Sequence, residues 1–243
     1  MVIFVDLEHE RLRQNPVLWR FFAAKTLETK YRLESISGTD CMIVHHRRFT
    51  PDIINRLNPR AVVVGGNYTG FQHFDEADLS GLNEFFFEVS RPTLAICGGF
   101  QLLVQIHGGA VGPMAPDTVK MGGTPSDTDT PLPEELLPPG QAPPLSTRAF
   151  ERGFVPVHIA THDPLFSGLS RKAYFYQLHG GEVKRLPESF SILAGSHCCR
   201  IQAICHREAP VLGVQFHPEL YDGAHYDGRR VLENFFRFAE SKS

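Results

Sequence analysis

Arg91-Pro92-Thr93-Leu94-Ala95-Ile96-Cys97-Gly98-Gly99-Phe100-Gln101-Leu102-Leu103 is the stretch on which the fold turns. An apolar strand, Thr93 to Cys97, ends in a cysteine; two glycines follow, then an apolar stretch that runs to Gly108-Gly109. Strand, sharp turn and helix in this order form a nucleophile elbow. The reactive side chain stands in a strained turn at the top of a sheet, and the glycines let neighbouring backbone pass close to it. The helix after the turn aims its N-terminus at the sulfur, and its dipole and free N–H groups favour thiolate over thiol. The N–H of Gly98 is then placed to bind an oxyanion. On its own, a Cys-Gly-Gly more often marks a buried cysteine before a glycine turn, so the rest of the chain has to decide.

Outward from this stretch, short apolar runs alternate with helix-like segments. Strands are predicted at Val2 to Asp6, Met42 to His45, Ala61 to Gly65 and Val211 to Phe216, besides Thr93 to Cys97. Their continuous apolarity suits a sheet covered on both faces. Helices are predicted over Pro16 to Lys30, with Asn15 as N-cap and proline at the first position, over Asp78 to Ser90, and over Asp227 to Ala239. Strands alternating with helices imply an α/β fold with a mostly parallel central sheet and helices on both faces, whose ligands sit at the carboxyl ends of the strands.

The second informative stretch is Val211-Leu212-Gly213-Val214-Gln215-Phe216-His217-Pro218-Glu219. Pro218 keeps His217 out of the helical region. Residues two apart in an extended segment point the same way, so His217 and Glu219 can face one site. The carboxylate then fixes the imidazole tautomer while the other ring nitrogen faces the thiol. Chance His-x-Glu pairs are common; joined to the elbow, this one completes an activated nucleophile of Cys97, His217 and Glu219.

The 243 residues are expected to form one domain, 1–243, and the net charge of −3 argues against nucleic acid as a main ligand. No apolar run approaches the ~18 residues of a membrane helix. Five cysteines without a C-x-x-C pair disfavour a disulfide framework or a structural zinc site, and a reducing cytoplasm is the expected compartment. Gly112 to Thr147 breaks the pattern, with nine of the 18 prolines and five acids against Lys120. It is predicted as an extended insertion at about 112–147, either a surface loop or a lid or docking arm. His45-His46 is expected in a polar loop, Cys41 and Cys205 in the core, Cys198-Cys199 in a surface loop, and Trp19 packed in the first helix.

With these residues in view, the segments Cys97 to Gln101 and Gln215 to Glu219 resemble the paired signatures of class I glutamine amidotransferases. Val62-Val63-Val64-Gly65-Gly66-Asn67 resembles the strand and glycine loop that completes that family's oxyanion hole. Asp163 to Leu169 resembles a recurrent turn, and Leu178-His179-Gly180-Gly181-Glu182-Val183 the loop that holds the glutamine backbone. The likeness spans nearly the whole chain apart from the proline-rich segment and is greatest to stand-alone domains similar to the amidotransferase half of GMP synthase. Asn67 stands where the family usually has proline, and Gly181 where it usually has an acid; both bear on which substrate is held.

The resemblance implies a flavodoxin-like three-layer fold and catalysis through Cys97, His217 and Glu219. It implies Gly66 and Gly98 as oxyanion donors, and Gln101, His179, Gly180 and Gly181 as substrate contacts. It implies no metal and no organic cofactor. The substrate is then glutamine or a γ-glutamyl compound, with ammonia passed to a synthase on another chain. A self-sufficient γ-glutamyl amide hydrolase shares the triad and stays open, as does a regulatory domain that keeps the fold. No nucleic acid and no membrane is expected as a partner.

Overall fold

The computed structural model describes residues 1–114 and 150–242. Five parallel strands form one half of a nine-stranded sheet: β1 (Val2–Asp6), β2 (Cys41–His45), β3 (Ala61–Val64), β4 (Thr93–Ile96) and β11 (Val211–Val214), in the spatial order β2-β1-β3-β4-β11. Four of the strands predicted from apolar runs coincide with these to within a residue or so. The fifth stops at Val214, two residues short of Phe216, although Gln215 N–H still bonds Gln202 O at 2.8 Å.

Period-two alternation builds two cores from one sheet. Val2, Phe4, Ala61, Val63, Leu94 and Ile96 face one side, which is covered by α1 (Pro16–Ser37) and α5 (Asp227–Ser241). Ile3, Val5, Val62, Val64 and Ala95 face the other, under α2 (Pro51–Leu57), α3 (Glu76–Phe87) and α4 (Gly98–Ile106). Each large apolar side chain removed from water contributes about 1.5–3 kcal/mol before entropy is charged. The caps follow the sequence. Asn15 Oδ1 accepts from Val17 N and Leu18 N, and α1 runs past Lys30 to close on Gly38 at φ 67. Asn234 on α5 donates to Leu165 O and Ser167 O, tying that helix to the Asp163 to Leu169 turn.

The other half of the sheet is antiparallel, continuing as β10 (Ala203–His206), β9 (Phe190–Gly195), β6 (Glu151–Ile159) and β7 (Lys172–His179). These strands carry Gly153, Pro156 and many polar residues, so they lack the continuous apolar runs of the parallel half. A separate pair joins β5 (Ala110–Pro113) to β8 (Gly181–Arg185).

Three expectations need correction. Gly112 and Pro113 belong to β5, because Pro113 ends a two-stranded ribbon where a missing N–H is tolerated. The rest of the predicted insertion, 115–147, and with it the lid or docking arm, lies outside the described residues. His46 is not in a polar loop but 1% exposed: its Nδ1 donates to Asp6 O at 3.4 Å, its ring packs on Phe74, and burial pushes its pKa down to about 4. Cys198 and Cys199 are likewise interior. They pack with Met114, Ser196 Oγ accepts Cys199 N–H at 2.9 Å, and burial pushes both thiols up. All five cysteines are free, Cys41 is buried as expected, and Cys205 is half-buried. Trp19 is also half-buried, with the Arg13 guanidinium 5.0 Å above its ring.

Gly81 of α3 is a sharp test of this packing, because a Cβ there would stand 1.9 Å from Phe49 O. A backbone neighbour cannot rotate away, so Gly81→Ala should destabilise the fold by about 1–3 kcal/mol despite alanine's better helix propensity. The urea midpoint should fall; a midpoint equal to that of the wild type would show that α3 does not pack as described.

Candidate active site

The carboxyl ends of β3, β4 and β11 are neighbours in the sheet, and each delivers one part of the site. Cys97 follows β4 at φ 50, ψ −106, one of two non-glycine residues with positive φ among the described residues. The strain is held by its surroundings: Cys97 N–H donates to Val214 O at 2.8 Å, and Gln101 N–H returns to Cys97 O at 3.0 Å. Gly98 opens α4, so its N–H is among those that a helix leaves without an intrahelical partner.

The glycines are demanded by close approach. A Cβ on Gly66 would meet Cys97 Cβ and His217 Cε1, each at 3.1 Å, and Cys97 Sγ at 3.6 Å. A Cβ on Gly98 would lie 1.6 Å from Asn67 Oδ1. The loop after β3 is thus wedged against both the thiol and the imidazole.

His217 and Glu219 face one another, with Nδ1 2.7 Å from Glu219 Oε1, but the segment does not stay extended as expected: Pro218–Leu220 winds into a 3-10 turn, which brings the carboxylate back onto the ring. The carboxylate accepts a hydrogen bond from Nδ1–H, so Nε2 is the nitrogen turned to the site, where it is buried without a hydrogen-bond partner. Burial is the largest influence on the ring and favours its neutral form; the Glu219 carboxylate and the Cys97 sulfur together outweigh it, and the pKa stands well above the ordinary histidine value. The segment is pinned from both sides. His217 N–H donates to Tyr176 O at 2.8 Å, and Arg32 from α1 donates to Glu219 O and Tyr221 O, each at 2.6 Å.

The remaining predicted residues surround this centre in different ways. Gln101 Nε2 donates to Gly181 O at 3.2 Å and Gln215 Oε1 at 3.0 Å, so it supports the glycine loop instead of lying on the helix surface. Gly180 O accepts from Met114 N at 2.9 Å. The His179 ring points away into the interior, Nδ1 to Gly181 O at 2.9 Å and Nε2 to Glu151 Oε2 at 3.0 Å and Gln177 Oε1 at 3.0 Å. It is the preceding carbonyl, Leu178 O, that lies 4.0 Å from Cys97 Sγ. Glu151, His179 and Cys199 are the one group of possible metal donors gathered among the described residues; Ser196 Oγ and Gln202 Nε2 also hold the Glu151 oxygens, at 2.8 Å each.

Two residues near the centre escape sequence reasoning. Gln215, fully buried, points its Nε2 at Cys97 Sγ across 3.7 Å; the signal was its place two residues before His217 in an extended run. Glu8 accepts Tyr68 N–H, just past Gly66, and nothing in the sequence around it marks that contact.

A thiol at a helix N-terminus beside an imidazole–carboxylate pair is the equipment of hydrolases that carry an acyl group on cysteine. A model of the family described as glutamine amidotransferase class-I matches residues 30–238, and the chain belongs to that family. Among its relatives, a glutamine-hydrolyzing GMP synthase subunit of Pyrococcus abyssi is 30% identical over 182 residues, 75% of this chain and 77% of that one. The corresponding GMP synthase subunit of Archaeoglobus fulgidus is 33% identical over 164 residues, 67% and 70% of the two chains. A crystal structure of a Thermoplasma acidophilum protein assigned as a GMP synthase subunit shares the fold with TM-score 0.69 at 19% identity, covering 99% of this chain and 94% of that one. A glutamine amidotransferase of Thermotoga maritima does so with TM-score 0.58 at 16% identity, over 90% and 75%.

The His217–Glu219 pair gives a pH signature. A ring whose pKa is raised on folding adds stability that is fully present below the ordinary histidine range and lost as pH rises through the raised value. Glu219→Gln removes the carboxylate charge, so the NMR titration of His217 should move to lower pH. A midpoint that stays in place would mean that Glu219 does not set the protonation of this ring.

Proposed function

We propose that the chain hydrolyses the γ-carboxamide of glutamine and supplies the ammonia to a synthase on another chain. The observation that carries this reading is the convergence of Cys97, His217 and the Gly66 loop on three adjacent strand ends, so close that a Cβ on Gly66 would crowd both side chains at 3.1 Å. The relatives are named as glutamine-hydrolyzing and as one subunit of a synthase, which supports both the substrate and the division of labour between chains.

The Cys97 thiolate attacks the amide carbon, and the oxygen takes the negative charge within reach of the Gly98 and Gly66 N–H groups. The C–N bond breaks as protonated His217 Nε2 gives its proton to the departing ammonia. A γ-glutamyl thioester remains. His217, now neutral, takes a proton from water as its oxygen attacks the thioester carbon, and glutamate leaves with the thiolate restored. Glu219 keeps the proton on Nδ1 throughout, so Nε2 serves both steps. The loop His179–Gly181 holds the amino-acid end of the substrate by its backbone, since the His179 ring is committed inward. Gln101 keeps that loop in register with the elbow helix.

Cys97→Ala should abolish ammonia release and labelling by a diazo-ketone analogue of glutamine. His217→Ala should cost about 100-fold or more, because neither proton transfer has a carrier. The purified chain should turn over glutamine slowly and be stimulated by its synthase. Turnover above ~10 s⁻¹ without a partner, and faster on a γ-glutamyl amide than on glutamine, would replace this reading by that of a self-sufficient hydrolase.

A further inference from the structure

The loop that brings Gly66 to the site has little of its own to hold it. It starts with two glycines, Gly65 and Gly66, which carry the widest backbone freedom of any residue. Asn67 follows, and its amide donates only to Thr69 O, two residues on, at 2.5 Å, while its Oδ1 is buried without a partner. Two hydrogen bonds secure the start of the loop: Gly65 N–H to Val5 O at 3.0 Å, and Gly99 N–H to Gly65 O at 3.1 Å. Past Gly66 the hold comes from a different element. Glu8, two residues beyond the end of β1, accepts Tyr68 N–H with both carboxylate oxygens, each at 3.0 Å. In the order β2-β1-β3-β4 the chain leaves β1 in one direction and β3 in the other, so Glu8 reaches across the crevice where such sheets bind their ligands.

We propose that Glu8 is a positioning residue: by clamping Tyr68 N–H it holds the Gly65–Tyr68 loop so that Gly66 N–H stays aimed at the developing oxyanion beside Cys97. The proposal rests on the thioester reading above for its kinetic consequences, and on the Glu8–Tyr68 contact alone for its structural one.

The clamp is titratable. Burial is the main cause that lifts the Glu8 carboxyl to about 8; the Tyr68 N–H opposes the rise, Asp6 on β1 adds to it, and the charge of His217 and the His9 N–H oppose it. The other polar groups packed around it are His45 from β2, whose Nε2 donates to Glu8 O at 3.0 Å, and the Tyr68 phenol, itself pushed up by burial and by Glu8. Below this pKa the neutral acid keeps one good acceptor for Tyr68 N–H; above it the bond is charge-assisted, but burial of the charge costs more than the Tyr68 N–H returns. Ionisation therefore draws the carboxylate toward water, and the clamp weakens as pH rises through about 8.

The test uses the full chain with Glu8→Ala and Glu8→Gln. In Glu8→Ala, hydrogen exchange at the Tyr68 amide should quicken at least ~10-fold. Its kcat for ammonia release from glutamine should fall about 10- to 100-fold with KM within about twofold, because an oxyanion donor acts on the transition state and not on bound substrate. Glu8→Gln keeps a neutral acceptor that cannot ionise, so it should match the wild type near pH 6.5 and overtake it above pH ~8.5, where the wild type loses kcat. Parallel wild-type and Glu8→Gln profiles from pH 6 to 9.5, unchanged exchange at Tyr68, or a loss confined to KM would each overturn the clamp. Should Glu8→Ala fail to fold, the Glu8→Gln profile decides. A wild-type chain that releases no ammonia overturns the glutamine reading instead, and exchange at Tyr68 then decides the clamp by itself.

Discussion

At Cys97 the backbone takes φ 50, ψ −106, a conformation that a side-chain-bearing residue avoids and that costs of order 1–3 kcal/mol. It persists because β4 is paired on both sides, with β3 and with β11, and because the bonds just past it leave no alternative path. Cys97 N–H is fixed to β11 through Val214 O, and Gly99 N–H to the loop after β3 through Gly65 O. The same two bonds that impose the strain therefore bring in the strand that carries His217 and the loop that carries Gly66. Position and strain have one cause, so the site cannot relax without unpairing the middle of the sheet.

Electrostatics in the site follow a similar logic of opposed terms. A buried imidazole left alone would be neutral, and a buried carboxylate left alone would be protonated. Paired at 2.7 Å, Glu219 holds a proton on Nδ1 and leaves Nε2 facing the sulfur. That pair depends in turn on α1, since Arg32 grips the Glu219 and Tyr221 carbonyls, stacks 4.3 Å over the Tyr221 ring and pairs with Glu28 one turn back. A helix whose sequence looked like plain scaffolding thus holds the His217–Glu219 segment from 187 residues away in the chain.

The parallel half of the fold was legible because both faces of it are covered. Runs such as Ala61-Val62-Val63-Val64 have no polar alternative, and the elbow and the His-x-Glu segment each sit at the end of such a run. The antiparallel half was not, because Glu151 to Ile159 or Lys172 to His179 mixes buried and exposed positions with Gly153 and Pro156, and only pairing across the sheet makes strands of them. Burial of polar residues was the other blind spot. His46, Cys198 and Cys199 look like surface residues until Asp6 O, Phe74 and Met114 supply their partners from distant segments. The His217–Glu219 pairing joins residues two apart in the chain, whereas Glu8 and Gln215 make contacts that span 60 and 118 positions.

The described residues on either side of 115–149 lead to the same place. On one side Met114 N–H bonds Gly180 O at 2.9 Å, and β5 zips to β8 just beyond that glycine. On the other, Glu151 meets the His179 ring at 3.0 Å, and β6 pairs with β7 from Glu151 opposite His179. Both anchors therefore grip Leu178 to Gly181, the loop whose first carbonyl is 4.0 Å from Cys97 Sγ and whose last accepts from Gln101. Buried polar contacts of this kind are costly to break and poor at partial adjustment, since an unpaired Glu151 or Gly180 O would be stranded away from water. The loop is accordingly rigid, held through its Gly180 and Gly181 carbonyls as well as through the His179 ring. Its fit to Cys97 is set by the pairing that frames the proline-rich segment as much as by the turn at Cys97 itself.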